Sequence, residues 1–179
     1  MDIAKRLRTE QELLGNRISE LKKIKQLSQK KLAENSGLSL RVVRRVEKGE
    51  SNSEFRTLLR LAMGLRIKIV GLFDYKAKLD LPSSITVYQD FEKRLALEKK
   101  KVGQRILQLC KHRGIDQEEL GVLSKIANSD ISLYVNGEEN MVLMTLLKIA
   151  IGLEVEIIDL LNYNGTMPSN KAFKGKIQF

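Results

Sequence analysis

Three observations predict an all-α chain. Only two of its 179 residues are proline, Pro82 and Pro168, so helices can run unbroken over most of its length. Apolar residues recur at helical spacing in short bursts, bounded by serines that can cap a helix and glycines that can end one. The whole pattern then occurs a second time. Sliding the sequence by 88 residues aligns 2–75 with 90–163 without a gap, and 25 of those 74 positions are identical. "DIAKRLRTE" at 2–10 and "DFEKRLALE" at 90–98 are the first matching stretches. The expected organisation is a first domain at 1–75, a linker at 76–89, a second domain at 90–163 and a tail at 164–179.

The elements follow in order. An extra helix over 2–13, repeated at 90–101, precedes the rest of each unit. "GNRISELKKIKQ" sets Ile18, Leu21 and Ile24 on one helical face. Ser28 is a good N-cap for "QKKLAENS", and Gly37 suits the left-handed residue that closes it. Ser39 caps "LRVVRRVEK", which Gly49 ends. "SNSEFRTLLRLAMGL" forms a fourth helix with Phe55, Leu58, Leu61, Ala62 and Leu65 inward. "KIVGLFDY" reads as a short fifth, although alternation in "LRIKIV" leaves a strand open. In the linker, Pro82-Ser83-Ser84 marks a turn and "ITVY" an extended segment, and the tail "MPSNKAFKGKIQF" is comparable.

Composition narrows the function. Net charge is +10 with a pI near 9.7, which points to a polyanionic partner. The charge is uneven: residues 1–75 carry a net +8, residues 90–163 a net −2, the linker +1 and the tail +3. One cysteine, Cys110, excludes an internal disulfide and reads as packing. His112, the single histidine, has no co-ligand and reads as a surface residue, so no metal and no cofactor are expected. There is no glycine-rich phosphate loop and no nucleophile–base–acid set, which argues against an enzyme. The most apolar stretch, "MVLMTLLKIAIGL" (141–153), is too short to span a bilayer and contains Lys148. A cytoplasmic protein without membrane association is expected.

Two short helices joined through Gly37, the second carrying "RVVRR", have the form of a helix-turn-helix. Residues 14–75 resemble the lambda-repressor/Cro-type (XRE) DNA-binding domain. The resemblance rests on Leu27-Ser28-Gln29, Leu32-Ala33, Gly37-Leu38-Ser39, Val46-Glu47-Lys48-Gly49 and Thr57-Leu58. It implies two tandem lambda-repressor-like helical domains of about five core helices each, the second divergent. It also implies that the third helix enters the major groove, with Leu40, Arg41, Arg44 and Arg45 toward the bases and Val43 and Val46 inward. Leu40 or Val42 would touch a thymine methyl. Gln29 matches the family's backbone-contacting glutamine, and Lys30, Lys48 and Asn52 are further phosphate candidates. Lys22 would pair with Glu47, as a basic residue and a glutamate do in the family.

The second unit departs from this pattern. Arg41, Arg44 and Arg45 become Ser129, Ser132 and Leu133, Val42 becomes Asp130, and Gly37 becomes Lys125. Gln117, Asn128 and Ser129 are the DNA contacts it retains as candidates. Lys22 and Glu47 become Cys110 and Val135 together, as touching partners would. Six positions turn apolar: Leu107, Val122, Leu123, Met141, Val142 and Met144, the last three read as opening the fourth helix. This set is expected to form an interface with the first unit, a second chain or another protein.

The function expected from the resemblance is a sequence-specific regulator of double-stranded DNA, a repressor of bacterial or phage type. The first domain would read DNA; the second would join chains into a homodimer, or complete a pseudo-dimer within one chain. The alternatives are an antitoxin, whose second unit or tail masks a toxin, and a scaffold that has lost DNA binding.

Overall fold

The computed structural model describes residues 2–76 and 90–168. The turn at Pro82 and the "ITVY" segment lie outside the described residues, as does most of the tail. Helices α1 (Ile3–Ile24), α2 (Gln29–Ser36), α3 (Leu40–Glu47) and α4 (Phe55–Gly64) lead to a short 3-10 helix, Ile69–Leu72. Then come α5 (Phe91–Arg113), α6 (Gln117–Ser124), α7 (Asn128–Asn136), α8 (Leu143–Gly152) and α9 (Ile157–Leu161). Each element of the second set begins 88 residues after its counterpart. The expected all-α class holds, and the strand left open in "LRIKIV" is replaced by the 3-10 turn.

Local chemistry explains the boundaries. Asp2 and Asp90 cap α1 and α5, Ser28 caps α2 and Ser39 caps α3, each accepting from a backbone N–H in the first turn. Gly37 closes α2 at φ +62, where a Cβ is costly. Lys125, at the corresponding position of the second half, adopts the same left-handed conformation at φ +55.

The additional helices expected at 2–13 and 90–101 are not separate. They run straight into the next helix, making α1 22 and α5 23 residues long, because nothing in "TEQELLGNR" breaks the hydrogen-bond ladder. Gly15 sits mid-helix for another reason. A Cβ there would lie 2.5 Å from the Glu47 carbonyl oxygen, so the glycine lets the end of α3 rest on α1. Gly103 does the same for α7 under α5.

The five inward residues expected on α4 are all fully buried, as are Leu32, Val43, Leu120 and Ile131. Arg17 is buried too, and its Nε donates to the Gly71 carbonyl at 3.3 Å. Arg105 repeats this with the Asp159 carbonyl at 3.0 Å, tying the long helix of each half to its last short one.

The halves meet across a pseudo-two-fold axis at the N-termini of α4 and α8. Neither Glu54 nor Val142 caps its own helix with a side chain. Instead the two residues face each other as an antiparallel bridge. Phe55 N–H donates to Met141 O at 2.7 Å, and Leu143 N–H donates to Ser53 O at 2.9 Å. Beside them Arg56 N–H donates to Asn140 Oδ1 at 3.2 Å, and Met144 N–H donates to Asn52 Oδ1 at 2.9 Å. Each half thereby satisfies orphan amides of the other's helix. Outside this core Arg56 pairs with Glu92, and α1 packs against α8. The Arg56 hydrogen bonds hold the Glu92 carboxyl below its usual range.

Asn140→Ala is expected to lower stability by about 1 kcal/mol, the usual cost of removing an N-cap. Urea unfolding of the full chain measures it, and a change within error would show that water caps α4 equally well.

Candidate nucleic-acid interface

Helix α3 turns one face in and one face out. Val43 and Val46 are fully buried, which leaves Arg41, Arg44 and Arg45 exposed on the other side. Leu40 and Val42 are half-buried against the edge of the core. The Ser39 cap accepts from Val42 N–H at 3.3 Å and fixes where the helix starts. Arg45 is steadied by donating from Nη2 to the Glu50 carbonyl at 3.1 Å.

A polar chain ties α3 to its neighbours. Glu47, at the end of α3, receives Lys22 Nζ at 2.7 Å on Oε1, with Ser19 Oγ donating to the same oxygen at 3.4 Å. Its Oε2 accepts from Gln29 Nε2, and Gln29 Oε1 in turn accepts from Arg44 Nε at 3.4 Å. The Lys22 and Glu47 side chains are 15% and 5% exposed, so this is an enclosed ion pair rather than a surface one. Lys22 and Glu47 therefore pair as the resemblance implies. Sequence reading named Gln29 only as a phosphate contact and missed its place between the buried pair and an exposed guanidinium, where it orients the latter. No spacing rule signals a hydrogen bond between the first turn of α2 and the last of α3.

The start of α2 is open to an anion. Ser28 Oγ accepts from Lys31 N–H at 3.0 Å, and the first turn has no acidic residue. Gln29 is half-buried there, with Lys30 exposed beside it and Lys48 exposed after α3. Asn52 stands apart from this group. Its Oδ1 is committed to the seam with the second half, and only its Nδ2 can donate outward.

The matching surface of the second half has another character. Asn128 and Ser129 are exposed and Gln117 is half-buried. At the start of α6, however, Asp116 accepts from Glu119 N–H at 2.8 Å while Glu119 accepts from Asp116 N–H at 2.9 Å. This capping box, with Glu118 in the same turn, places carboxylates where α2 offers amides. Asp130 adds another in the first turn of α7. Cys110 and Val135 are both buried where the first half has its ion pair. His112 is not a plain surface residue: it is half-buried, with Nε2 3.1 Å from the Pro168 carbonyl oxygen.

The six positions that turned apolar divide. Met141 is buried and Val142 and Met144 are half-buried, and all three lie at the seam. Met141 and Val142 precede α8 instead of opening the helix, Val142 in extended backbone, because their backbone groups pair across the axis. Leu107 and Val122 remain 38% and 65% exposed, and Leu123 is half-buried. Sequence reading missed the rest of the seam: Glu54, Arg56 and Arg60 in the first half, and Phe91, Glu92 and Asn140 in the second. The one available signal was that Asn52 and Asn140 are identical in the two halves.

Two measurements test these environments. Lys22→Cys leaves Glu47 enclosed without its cation and is expected to cost about 3 kcal/mol in urea unfolding. Lys22→Cys/Glu47→Val, which copies the second half's pair, is expected to recover most of that loss; a double variant no better than the single would refute the coupling. Burial pushes the Cys110 thiol up to about 11. It should stay protonated and unreactive toward a thiol reagent at pH 8 until the chain is unfolded. The unfolded thiol releases its proton first, so stability should fall as pH rises from about 9 to about 11.

Residues 18–72 match the family model described as helix-turn-helix, a stretch that runs from within α1 to the end of the 3-10 helix. The match supports an XRE-type DNA-binding transcription regulator. No curated protein and no solved structure matches the chain. No described helix is long and apolar enough to cross a membrane, and no metal-binding cluster occurs among the described residues.

Proposed function

We propose that this protein is a sequence-specific binder of double-stranded DNA that represses transcription, with α3 of the first half reading the major groove. One observation carries the reading: the two buried valines of α3 turn Arg41, Arg44 and Arg45 outward together, beside the open N-terminus of α2. Guanidinium groups match the paired acceptors of guanine, each good bidentate contact contributing about 1–3 kcal/mol of discrimination. Leu40 and Val42 lie at the margin of the same face, within the reach of a thymine methyl. The amides of α2, with Gln29, Lys30 and Lys48, suit the flanking phosphates and set the register of α3. Gln29 adds direction, since it receives Arg44 from one side and is itself held by Glu47.

The second half is a diverged copy of the first, on the strength of 25 identities in 74 positions and elements offset by one constant interval. Its carboxylates at α6 and α7 oppose a phosphate backbone, so its main role is to complete the pair rather than to read bases. Net charges of +8 and −2 on the two halves point the same way.

Binding can be followed by fluorescence anisotropy on a duplex recovered by selection from random sequence with the full chain. Arg44→Ala is expected to weaken that complex roughly 5- to 150-fold and to relax preference at one base pair. Asn128→Ala/Ser129→Ala is expected to change affinity less than about twofold, within the usual range for groups that make no base contact. Unchanged selectivity in Arg41→Ala/Arg45→Ala and in Arg44→Ala would remove the basis of the reading.

A further inference from the structure

The backbone of the seam obeys a two-fold exchange, but its side chains do not. On one flank Arg56 grips Glu92 with both prongs, Nη1 to Oε1 at 2.6 Å and Nη2 to Oε2 at 2.9 Å. Next to this pair the Arg60 guanidinium lies 3.9 Å from the centre of the Phe91 ring. On the opposite flank the corresponding residues are Met144 with Ala4 and Lys148 with Ile3. On the axis itself Glu54 faces Val142.

Like-with-like pairing is therefore disfavoured. Two first halves from different chains would bring Glu54 against Glu54, where like charges repel. They would also leave Arg56 opposite Ala4 and Arg60 opposite Ile3. Two second halves would set Met144 against Glu92 and lose both arginines. Only first against second gives the bidentate pair, the ring contact and an axis without two carboxylates. An isologous patch that is closed inside one chain is no longer available to recruit another copy.

From this we infer that a single chain is the complete DNA-binding unit, and that its target is a directional duplex rather than a palindrome. One segment of that duplex is read by α3. The neighbouring segment faces α7, which carries none of the three arginines and has Asp130 in its first turn. The assignment of a target rests on the DNA-binding reading above; the pairing rule does not.

Cysteine trapping on the axis tests the pairing with the full chain. In this bridge geometry the opposed Cα atoms lie about 4.5 Å apart, within reach of a disulfide. Oxidised Glu54→Cys/Val142→Cys is expected to form an intrachain bond, seen as a monomer two hydrogens lighter by mass spectrometry. A missing bond, or a bond between chains, overturns the inference. Oxidised Glu54→Cys alone should give no more linked dimer than Lys93→Cys, an exposed site off the axis; preferential dimer trapping at position 54 overturns it. Selection of duplexes with the unmodified chain, followed by native mass spectrometry, should return a non-palindromic motif bound by one chain. A palindrome bound by two chains overturns the target while leaving DNA binding intact. Failure to enrich any duplex removes the DNA reading and the target together, and the trapping result still decides the pairing.

Discussion

The architecture depends on four backbone amides that have no partner within their own half. The first N–H groups of a helix must find acceptors outside it. In α4 and α8 these acceptors come from the opposite half: Met141 O and Asn140 Oδ1 for one, Ser53 O and Asn52 Oδ1 for the other. The exchange fixes the halves in register, because a one-residue slip would break all four bonds. It also bears on recognition. Residues 48–54 connect α3 to α4, so the seam that starts α4 also anchors the segment leaving α3, the helix proposed to read DNA.

Within the first half, α3 is held from two directions. Its valines enter the core, and the backbone at its end rests on Gly15 of α1. The enclosed Glu47 then links Lys22 on α1 to Gln29 on α2, so three helices share one carboxylate. Its orienting effect reaches the surface at Arg44. The second half keeps the same backbone with Cys110 and Val135 at the corresponding sites, which is evidence that packing alone can hold the helices. The ion pair in the first half is thus better understood as a way to align Gln29 and Arg44 than as a source of stability, in keeping with the high desolvation cost of buried charge.

Legibility in the sequence followed the range of the interaction. Caps at Ser28 and Ser39, the left-handed Gly37 and the inward stripe of α4 are set by residues within a turn of one another, and each is where the pattern indicates. The additional helix was visible but its continuity with α1 was not. Nothing local accounts for Gly15 in mid-helix; its reason is the Glu47 carbonyl lying over it. The seam was half legible. Met141, Val142 and Met144 stood out as apolar replacements, yet nothing local reveals that two of them precede the helix. Asn52 shows the limit most clearly: its position in the motif suggests phosphate, and its bond lies 92 residues away in sequence. The three outward arginines could be read because burying Val43 and Val46 leaves them no other side.

Closing the pair inside one chain changes what each half can become. In a homodimer every substitution appears twice, so an axial residue always meets itself, and a glutamate at position 54 would carry a repulsive partner. Here each axial position is substituted independently, which allows Glu54 to face Val142 and Arg56 to face Glu92. The same independence extends to the outer surface. One half can collect cations for a polyanion while the other acquires carboxylates at its helix N-termini, without any cost to their union. On the proposed function, net charges of +8 and −2 would turn the basic half toward a polyanion before contact. The difference between the two outer surfaces and the asymmetry of the seam are then two consequences of one covalent fact: both halves are carried on a single backbone.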